Sequence, residues 1–125
     1  MRTQVLCLPN VPWDELRDRV VRLEALGIDV AALPDHFVDW TNPPSPWFES
    51  WTALTGLAGA TTSIRLTASV TQIPLRNPAM FARQALTLDH ISNGRLEIGL
   101  GTAIAEIPGA IERFLETKPG ADRDR

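Results

Sequence analysis

The sequence predicts an α/β fold built of parallel βα units. Short apolar runs that are typical of buried strands alternate with longer stretches whose apolar residues recur at helical spacing. Within residues 64–101 a strand, a helix and a second strand follow one another, and a crossover of this length joins parallel strands. The chain has 125 residues, which is enough for one domain with its own core.

The first predicted strand and helix lie at the amino end of the chain. Residues 3–8 form a short apolar run, and a turn rich in proline follows it. The first helix covers residues 13–26, where apolar and charged residues alternate at helical spacing. Asp14 and Glu15 lie in its first turn, where the helix dipole favours acidic side chains, and Gly27 ends it.

The second βα unit contains the longest predicted loop. Residues 29–34 form the second strand, which is apolar enough to be buried on both faces. A loop is predicted over residues 38–50, because its prolines prevent a helix. Its tryptophan and phenylalanine side chains would be costly to expose, so they are expected to cover a ligand or another part of the chain. The second helix is predicted over residues 51–60.

The third βα unit and the fourth strand have the clearest boundaries. The third strand covers residues 64–70, with apolar side chains at every second position. Asn77 is the expected cap of the third helix, and Pro78 is its first residue, where the missing N–H costs nothing. Residues 92–94 end that helix, and the fourth strand covers residues 95–100.

The carboxyl end of the chain is predicted to be less regular. Residues 102–106 are expected to form a loop, and residues 107–115 have the apolar spacing of a short helix. The polar residues 117–125 are expected to be a disordered tail. The predicted domain therefore covers residues 1–116.

Polar candidates for a functional site follow the predicted strands. Right-handed crossovers put the carboxyl ends of all four strands at one edge of the sheet, where α/β folds bind ligands. Asp35 and His36 follow the second strand, and a histidine there can donate a hydrogen bond or move a proton near neutral pH. Adjacent strand residues point to opposite faces, so we expect one of the two to face the pocket and the other to support the loop. The alternative is a histidine that only satisfies loop carbonyls.

A run of motifs in the second half of the chain resembles the luciferase-like oxidoreductases, which are (β/α)8 barrels of the bacterial luciferase superfamily. The matching motifs are Arg-Asn-Pro at 76–78, Arg-Gln at 83–84, Leu-Asp at 88–89, Ile-Ser-Asn-Gly-Arg at 91–95 and Gly-Leu-Gly at 99–101. A complete barrel of this kind takes about 250 residues. The resemblance therefore implies that this chain forms about half of a barrel, at its amino end.

The resemblance also implies roles for residues at the carboxyl edge. In the deazaflavin-dependent branch an Asp-His pair lies against the cofactor ring, with a tryptophan four residues after the histidine. Here Asp35 and His36 form that pair and are the implied catalytic residues: Asp35 would orient the site, and His36 would contact the ring. Trp40 lies four residues after His36, and the resemblance implies that it forms a wall of the cofactor site. Ser69 and Val70 correspond to a bulge with a cis peptide bond that backs the ring. From the residues alone, an ordinary bulge or strand end is the alternative for this pair.

Gly99 and Gly101 are the last cofactor-binding candidates. Glycines at the end of a strand permit close approach of a planar ligand, or they simply make a turn. They are not a dinucleotide-binding fingerprint, because no third glycine opens a helix at the required place.

The resemblance implies the deazaflavin coenzyme F-420 as cofactor, with FMN as the alternative. The reaction would be hydride transfer with the deazaflavin, or monooxygenation with FMN, on a small organic substrate. A different function stays open: a truncated, non-catalytic half barrel that acts as a binding or assembly subunit. The partner would then be a second copy in a homo-oligomer or a complementary half barrel, because a half barrel has open sheet edges.

Composition and charge exclude several other classes. A net charge of −3 does not suggest a nucleic-acid or membrane partner, and no apolar stretch approaches the about 20 residues of a membrane span. The start of the chain has no signal-peptide pattern, so a cytoplasmic location is expected. Cys7 is the only cysteine and is predicted to fill the core. The two histidines have no metal-ligand spacing, so no metal site is predicted.

Overall fold

The computed structural model describes residues 1–39, 41–42 and 44–102, which form three βα units followed by a fourth strand. The elements in chain order are β1 (Gln4–Leu6), α1 (Trp13–Ala25), β2 (Val30–Leu33), α2 (Ser50–Ala60), β3 (Arg65–Gln72), a 3-10 turn (Ile73–Leu75), α3 (Pro78–Ile91) and β4 (Leu96–Gly101). All strand pairs are parallel, and the strand order is β1-β2-β3-β4. The predicted α/β fold is confirmed. The predicted segments 103–106 and 107–115, the tail 117–125 and the domain boundary at 116 lie outside the described residues.

The three helices cover one face of the sheet, called here the covered face. Its core contains apolar residues of alternating strand positions, such as Leu33 and Leu66, packed against Leu16 of α1 and Leu54 and Leu57 of α2. These five side chains have no more than 1% of their surface exposed. Burial of this apolar surface is the main force that holds the helices to the sheet.

The other side of the sheet, called here the open face, carries the remaining strand positions. Leu6 in β1 and the following Leu8 alternate with the core residues Val5 and Cys7, and both leucines are exposed. Cys7 is buried, as predicted, and its burial raises the pKa of the thiol. The sheet is therefore covered by described helices on one side only.

Side-chain caps determine where α2 and α3 begin. Asn77 accepts the N–H groups of Ala79 and Met80 at 3.0 and 3.2 Å, so the predicted cap of α3 is confirmed. α2 begins at Ser50, one residue earlier than predicted, because the Glu49 carboxylate accepts the N–H groups of the next turn. A glutamate is a less common cap than aspartate or asparagine, and the sequence pattern did not reveal it.

The end of β3 departs from the predicted alternation. The peptide bond between Ser69 and Val70 is cis, and the register of the β3–β4 pair shifts between Ala68 and Thr71. Pairing then continues to Gln72, two residues beyond the predicted end of the strand. The bulge turns Val70 away from the core, so this side chain is 44% exposed.

Arg95 is a buried arginine immediately before β4. Its guanidinium donates hydrogen bonds to the carbonyls of Ala58, Thr61, Ile64 and Ser92 at 2.6 to 3.1 Å, and to the Thr61 hydroxyl at 2.8 Å. The contacts reach the ends of α2 and α3 and the start of β3, and cationic groups are favoured at helix carboxyl ends. Arg95 therefore joins three elements at the amino edge of the sheet.

Glu24 near the end of α1 holds the turn that leads into β3. One of its carboxylate oxygens accepts the N–H groups of Thr62, Ser63 and Ile64 at 2.8, 2.6 and 2.9 Å, and also the Ser63 hydroxyl. Partial burial raises the pKa of Glu24, but these hydrogen bonds outweigh that effect and lower the pKa to about 2. The ionised carboxylate is therefore stabilised by folding.

We expect Glu24→Gln to lower the free energy of unfolding by about 1–2 kcal/mol at neutral pH, a value reduced for the partial exposure of the carboxylate. The pKa is depressed in the folded state, so this stability is present above about pH 4.5 and is lost as the pH falls towards 2. Urea unfolding of the native chain and of Glu24→Gln over this pH range should show that the difference between their free energies of unfolding becomes smaller as the pH falls. Glu15→Gln, at an exposed position of α1, is the matched control and should change stability by less than about 0.5 kcal/mol. If the free energies of unfolding of Glu24→Gln and the native chain differed by a constant amount down to pH 2, the ionised Glu24 carboxylate would not be the source of this stability.

Candidate functional site

The predicted site residues lie at the carboxyl edge of the sheet. Asp35 and His36 follow β2, Ser69 and Val70 lie at the bulge of β3, and the two glycines end β4. The parallel strand order brings these positions to one edge, as predicted. Trp40 lies outside the described residues.

Asp35 is buried and supports the segment after β3. Its side chain is 4% exposed. One carboxylate oxygen accepts the N–H of Gln72 at 2.8 Å and is also paired with Arg76, and the other accepts Arg76 Nη2 at 2.8 Å. This two-pronged ion pair fixes the carboxylate in one orientation.

Arg76 connects Asp35 to the start of α2. Its Nη2 also donates to Glu49 at 2.8 Å, and its Nη1 donates to the carbonyl of Gln72 at 3.3 Å. Burial lowers the pKa of Arg76, but the adjacent carboxylates outweigh it and raise the pKa above its usual value. The guanidinium therefore stays charged between two acids. Sequence reasoning used Arg76 only as part of a motif, and the two acids around it are distant in sequence.

His36 is held from two directions. Its Nδ1 lies 3.2 Å from the side-chain nitrogen of Gln72, and its carbonyl accepts the indole N–H of Trp47 at 2.8 Å. The rings of His36 and Trp47 are 6.3 Å apart between centroids, at an angle of 56°. Trp47 was not among the predicted site residues, and its contact with the His36 carbonyl fixes the backbone of the candidate site. Gln72 was missed, because its contact with His36 spans 36 residues.

A cavity of about 340 Å³ opens beside this cluster. Its lining includes His36, Phe37, Trp47, Leu75, Arg76 and Gln84. The wall thus combines apolar and aromatic side chains with a few polar groups, which is the usual composition of a small-molecule site. The charged pair of Asp35 and Arg76 lies at one side of it.

Asp39 anchors the loop on both sides of Trp40. One of its oxygens accepts the N–H groups of Thr41 and Asn42 at 3.0 and 3.2 Å and the Thr41 hydroxyl at 2.6 Å. The other oxygen accepts the side-chain amide of Asn10 at 3.3 Å. The loop after β2 is thereby tied to the turn after β1.

Val70 and the glycines of β4 form a small apolar shelf on the open face, which we call the Val70 shelf. A Cβ atom on Gly99 would lie 3.3 Å from Val70 Cγ1 and 3.3 Å from the Ala68 carbonyl. A Cβ atom on Gly101 would overlap Val70 Cγ2. Neither glycine has a positive φ, so the two do not serve to make a turn. They are needed because the Val70 side chain lies directly over the β4 backbone.

Within residues 1–39, 41–42 and 44–102, no group of three or more histidine, cysteine or acidic side chains is placed to hold a metal ion. No described helix is long and apolar enough to cross a membrane. His90 is exposed on α3 and lies on a different element from His36.

Comparison with known proteins identifies relatives of this chain. The family model described as luciferase-like monooxygenase matches residues 1–114. An F420-dependent glucose-6-phosphate dehydrogenase of Amycolatopsis mediterranei is 32% identical over 94 residues, which cover 73% of this chain and 28% of that protein. The pyrimidine monooxygenase RutA of Allorhizobium ampelinum is 36% identical over 97 residues, covering 74% of this chain and 26% of that protein.

Solved structures show the same fold. The coenzyme F420-dependent tetrahydromethanopterin reductase of Methanopyrus kandleri aligns with a TM-score of 0.71 at 25% identity, covering 86% of this chain and 29% of that one. The oxygenating constituent of a Pseudomonas putida 3,6-diketocamphane monooxygenase, in complex with FMN, aligns with a TM-score of 0.74 at 20% identity, covering 89% and 32%. This chain therefore spans about a third or less of the length of these relatives.

Proposed function

Since this chain belongs to the luciferase-like monooxygenase family, we propose that it forms the cofactor-ring side of a flavin- or deazaflavin-dependent oxidoreductase. The observation that carries the proposal is the Val70 shelf at the carboxyl edge of the sheet. An exposed valine over two glycines offers a flat apolar surface on the open face, and Asp35 and His36 follow the neighbouring strand.

The shelf fits a planar heterocycle. Its surface is the side chain of Val70, which is 44% exposed, and no side chain rises from Gly99 or Gly101 beside it. Apolar contact with a flat ring face needs no polar partner, so this surface can support a flavin or a deazaflavin equally well. When bound, such a cofactor supplies the centre for hydride transfer or, with oxygen, for monooxygenation.

The chain's own residues would supply hydrogen bonding and orientation. His36 would contact the cofactor ring and donate a hydrogen bond or a proton there. Asp35 would act as the orienting residue, because its carboxylate is fixed by Arg76 and by the main chain of Gln72. Trp40 would form the wall of the site, at a position flanked by the anchored residues Asp39 and Thr41.

We favour the deazaflavin coenzyme F-420, with FMN as the alternative. Several of the relatives are F420-dependent glucose-6-phosphate dehydrogenases, and an FMN complex is among the structures with the same fold. The Asp-His pair with a tryptophan at the fourth following position also supports the deazaflavin. The substrate would be a small organic molecule.

The remaining parts of the site would come from further βα units, since the relatives are about three and a half times as long as the matched segment. Exposed apolar side chains lie on β4, which is an outer strand of the described sheet, and on α3; they are Ile98, Leu100 and Leu86. This observation also favours the second candidate function, a non-catalytic half barrel that binds a second copy or a complementary half.

Thermal unfolding with each cofactor tests the proposal. A ligand that binds only the folded chain adds about 2.7 kcal/mol of stability at a hundredfold excess over its dissociation constant. We expect coenzyme F-420 to raise the unfolding midpoint, His36→Ala to reduce this rise, and the matched variant His90→Ala to leave it unchanged. A rise with FMN alone would select the alternative cofactor.

A midpoint that neither cofactor moves would remove the cofactor-binding proposal for this chain. Sedimentation of the same samples then tests the second candidate function. A stable dimer without cofactor affinity would support assembly.

A further inference from the structure

We propose that Gln72 is a positioning residue that sets the tautomer of His36. It would hold Nδ1 as a hydrogen-bond acceptor, so that the imidazole carries its proton on Nε2. The value of this tautomer for catalysis rests on the proposed function, whereas the tautomer itself does not.

The contact between the two side chains determines which ring nitrogen carries the proton. Gln72 is 5% exposed, and its side-chain nitrogen lies 3.2 Å from His36 Nδ1. An amide nitrogen is a donor only, so the Nδ1 that faces it must present a lone pair. The tautomer that fits this contact therefore carries its proton on Nε2.

The main chain of Gln72 fixes the point from which its side chain reaches His36. Its N–H donates to Asp35 at 2.8 Å, its carbonyl accepts Arg76 at 3.3 Å, and the residue pairs with Gly101 in the sheet. These contacts use main-chain atoms, so they remain available when the side chain alone is changed to that of another residue with a backbone N–H. Asp35 and Arg76 thus act on His36 through the backbone of Gln72.

His36 is anchored independently of Gln72. Its carbonyl accepts the indole N–H of Trp47 at 2.8 Å, which holds the backbone while the amide holds the ring. Two separate anchors restrict both the position and the rotation of the imidazole. This is the requirement for a side chain that must present one particular N–H to a ligand.

The consequence for the proposed reaction is a fixed donor. An Nε2–H at this place can donate to a cofactor or substrate atom that gains negative charge, and no change of tautomer is needed first. The other tautomer would present a lone pair there and would repel the same charge. Gln72 would therefore determine whether His36 stabilises or opposes negative charge on the cofactor or substrate.

Nitrogen-15 NMR of the imidazole rings tests the inference on the native chain without cofactor. The chain has two histidines, and His90→Gln assigns both sets of signals. The spectra are recorded at about pH 8.5, two units above the ordinary imidazole pKa of about 6.5. We expect a pyridine-like shift for Nδ1 of His36 and a pyrrole-like shift for Nε2, and the exposed His90 serves as the internal reference.

Two variants separate positioning from a structural role. Gln72→Met has a similar volume and no donor, so we expect the His36 signals to move towards those of His90. Gln72→Glu offers an acceptor, so we expect the proton to move to Nδ1 and the two shifts to exchange. The amide spectrum of the rest of the chain reports whether each variant is folded.

A native His36 protonated on Nδ1, or signals like those of His90, would overturn the inference. So would a folded Gln72→Met variant that retains the native tautomer. Because no cofactor is present, failure to bind one would change none of these results.

Discussion

Replacing Arg95 with methionine is expected to lower the free energy of unfolding by about 3–4 kcal/mol. Arg95 is 8% exposed, and its guanidinium donates to five acceptors that lie at the ends of α2 and α3 and at the start of β3. Methionine fills a similar volume but leaves buried carbonyls without this donor. A loss of this size is a large part of the total stability of a small domain.

The measurement is urea unfolding followed by circular dichroism, with the midpoint and the slope compared among variants. Arg17→Met is the matched control, because Arg17 is half-buried on α1 and its ion pair within the described part of the chain is with its neighbour Asp18; we expect less than about 0.5 kcal/mol there. Arg95→Lys keeps the charge but replaces the planar guanidinium with a single ammonium, so the stability of this variant should lie between those of Arg95→Met and Arg17→Met. If Arg95→Met costs no more than Arg17→Met, Arg95 does not join the three elements.

Replacing Gly101 with alanine is expected to disrupt the Val70 shelf. The new Cβ would overlap Val70 Cγ2, and a valine has no flexible end that can move aside. We expect a loss of about 1–3 kcal/mol of unfolding free energy from overpacking, and at least about a tenfold loss in affinity for the proposed ring cofactor. Thermal unfolding and cofactor titration measure the two effects.

A second substitution tests whether the effect acts through Val70. Val70→Ala removes the methyl groups that the new Cβ would meet, so the double variant should regain about 1 kcal/mol relative to the sum of the single variants. Gly59→Ala in α2 is the matched control, because its new Cβ meets no atom within 4 Å, and it should stabilise the chain by about 0.5–1 kcal/mol. Additive effects of Val70→Ala and Gly101→Ala would contradict the shelf.

The helices and the parallel sheet could be predicted because their signals are local. Apolar spacing located α1 and α3 to within one residue, and Asn77 and Pro78 marked the start of α3. Each of these signals lies within about one turn of the residues it affects. The resemblance added the cis peptide bond between Ser69 and Val70, which the structure contains. The residues of that pair alone do not require it.

The interior of the site could not be predicted in this way. The partners of Asp35, His36 and Gln72 are separated by 36 to 41 residues, and no periodicity links them. Glu49 was overlooked because its roles, the cap of α2 and the pairing with Arg76, depend on where two other elements lie. A charged residue in a loop has many partners in principle, and only packing selects among them.

The sequence by itself determined the order, type and approximate limits of the elements, and with them the edge of the sheet at which the candidate site lies. Backbone preference, capping and apolar spacing act between near neighbours, so one chain is enough to read them. The tertiary structure alone decided that Asp35 supports the loop, that Gln72 meets His36 and that Val70 covers two glycines. These contacts arise where β2, β3 and β4 come together, and their geometry exists only after the helices have buried the covered face of the sheet.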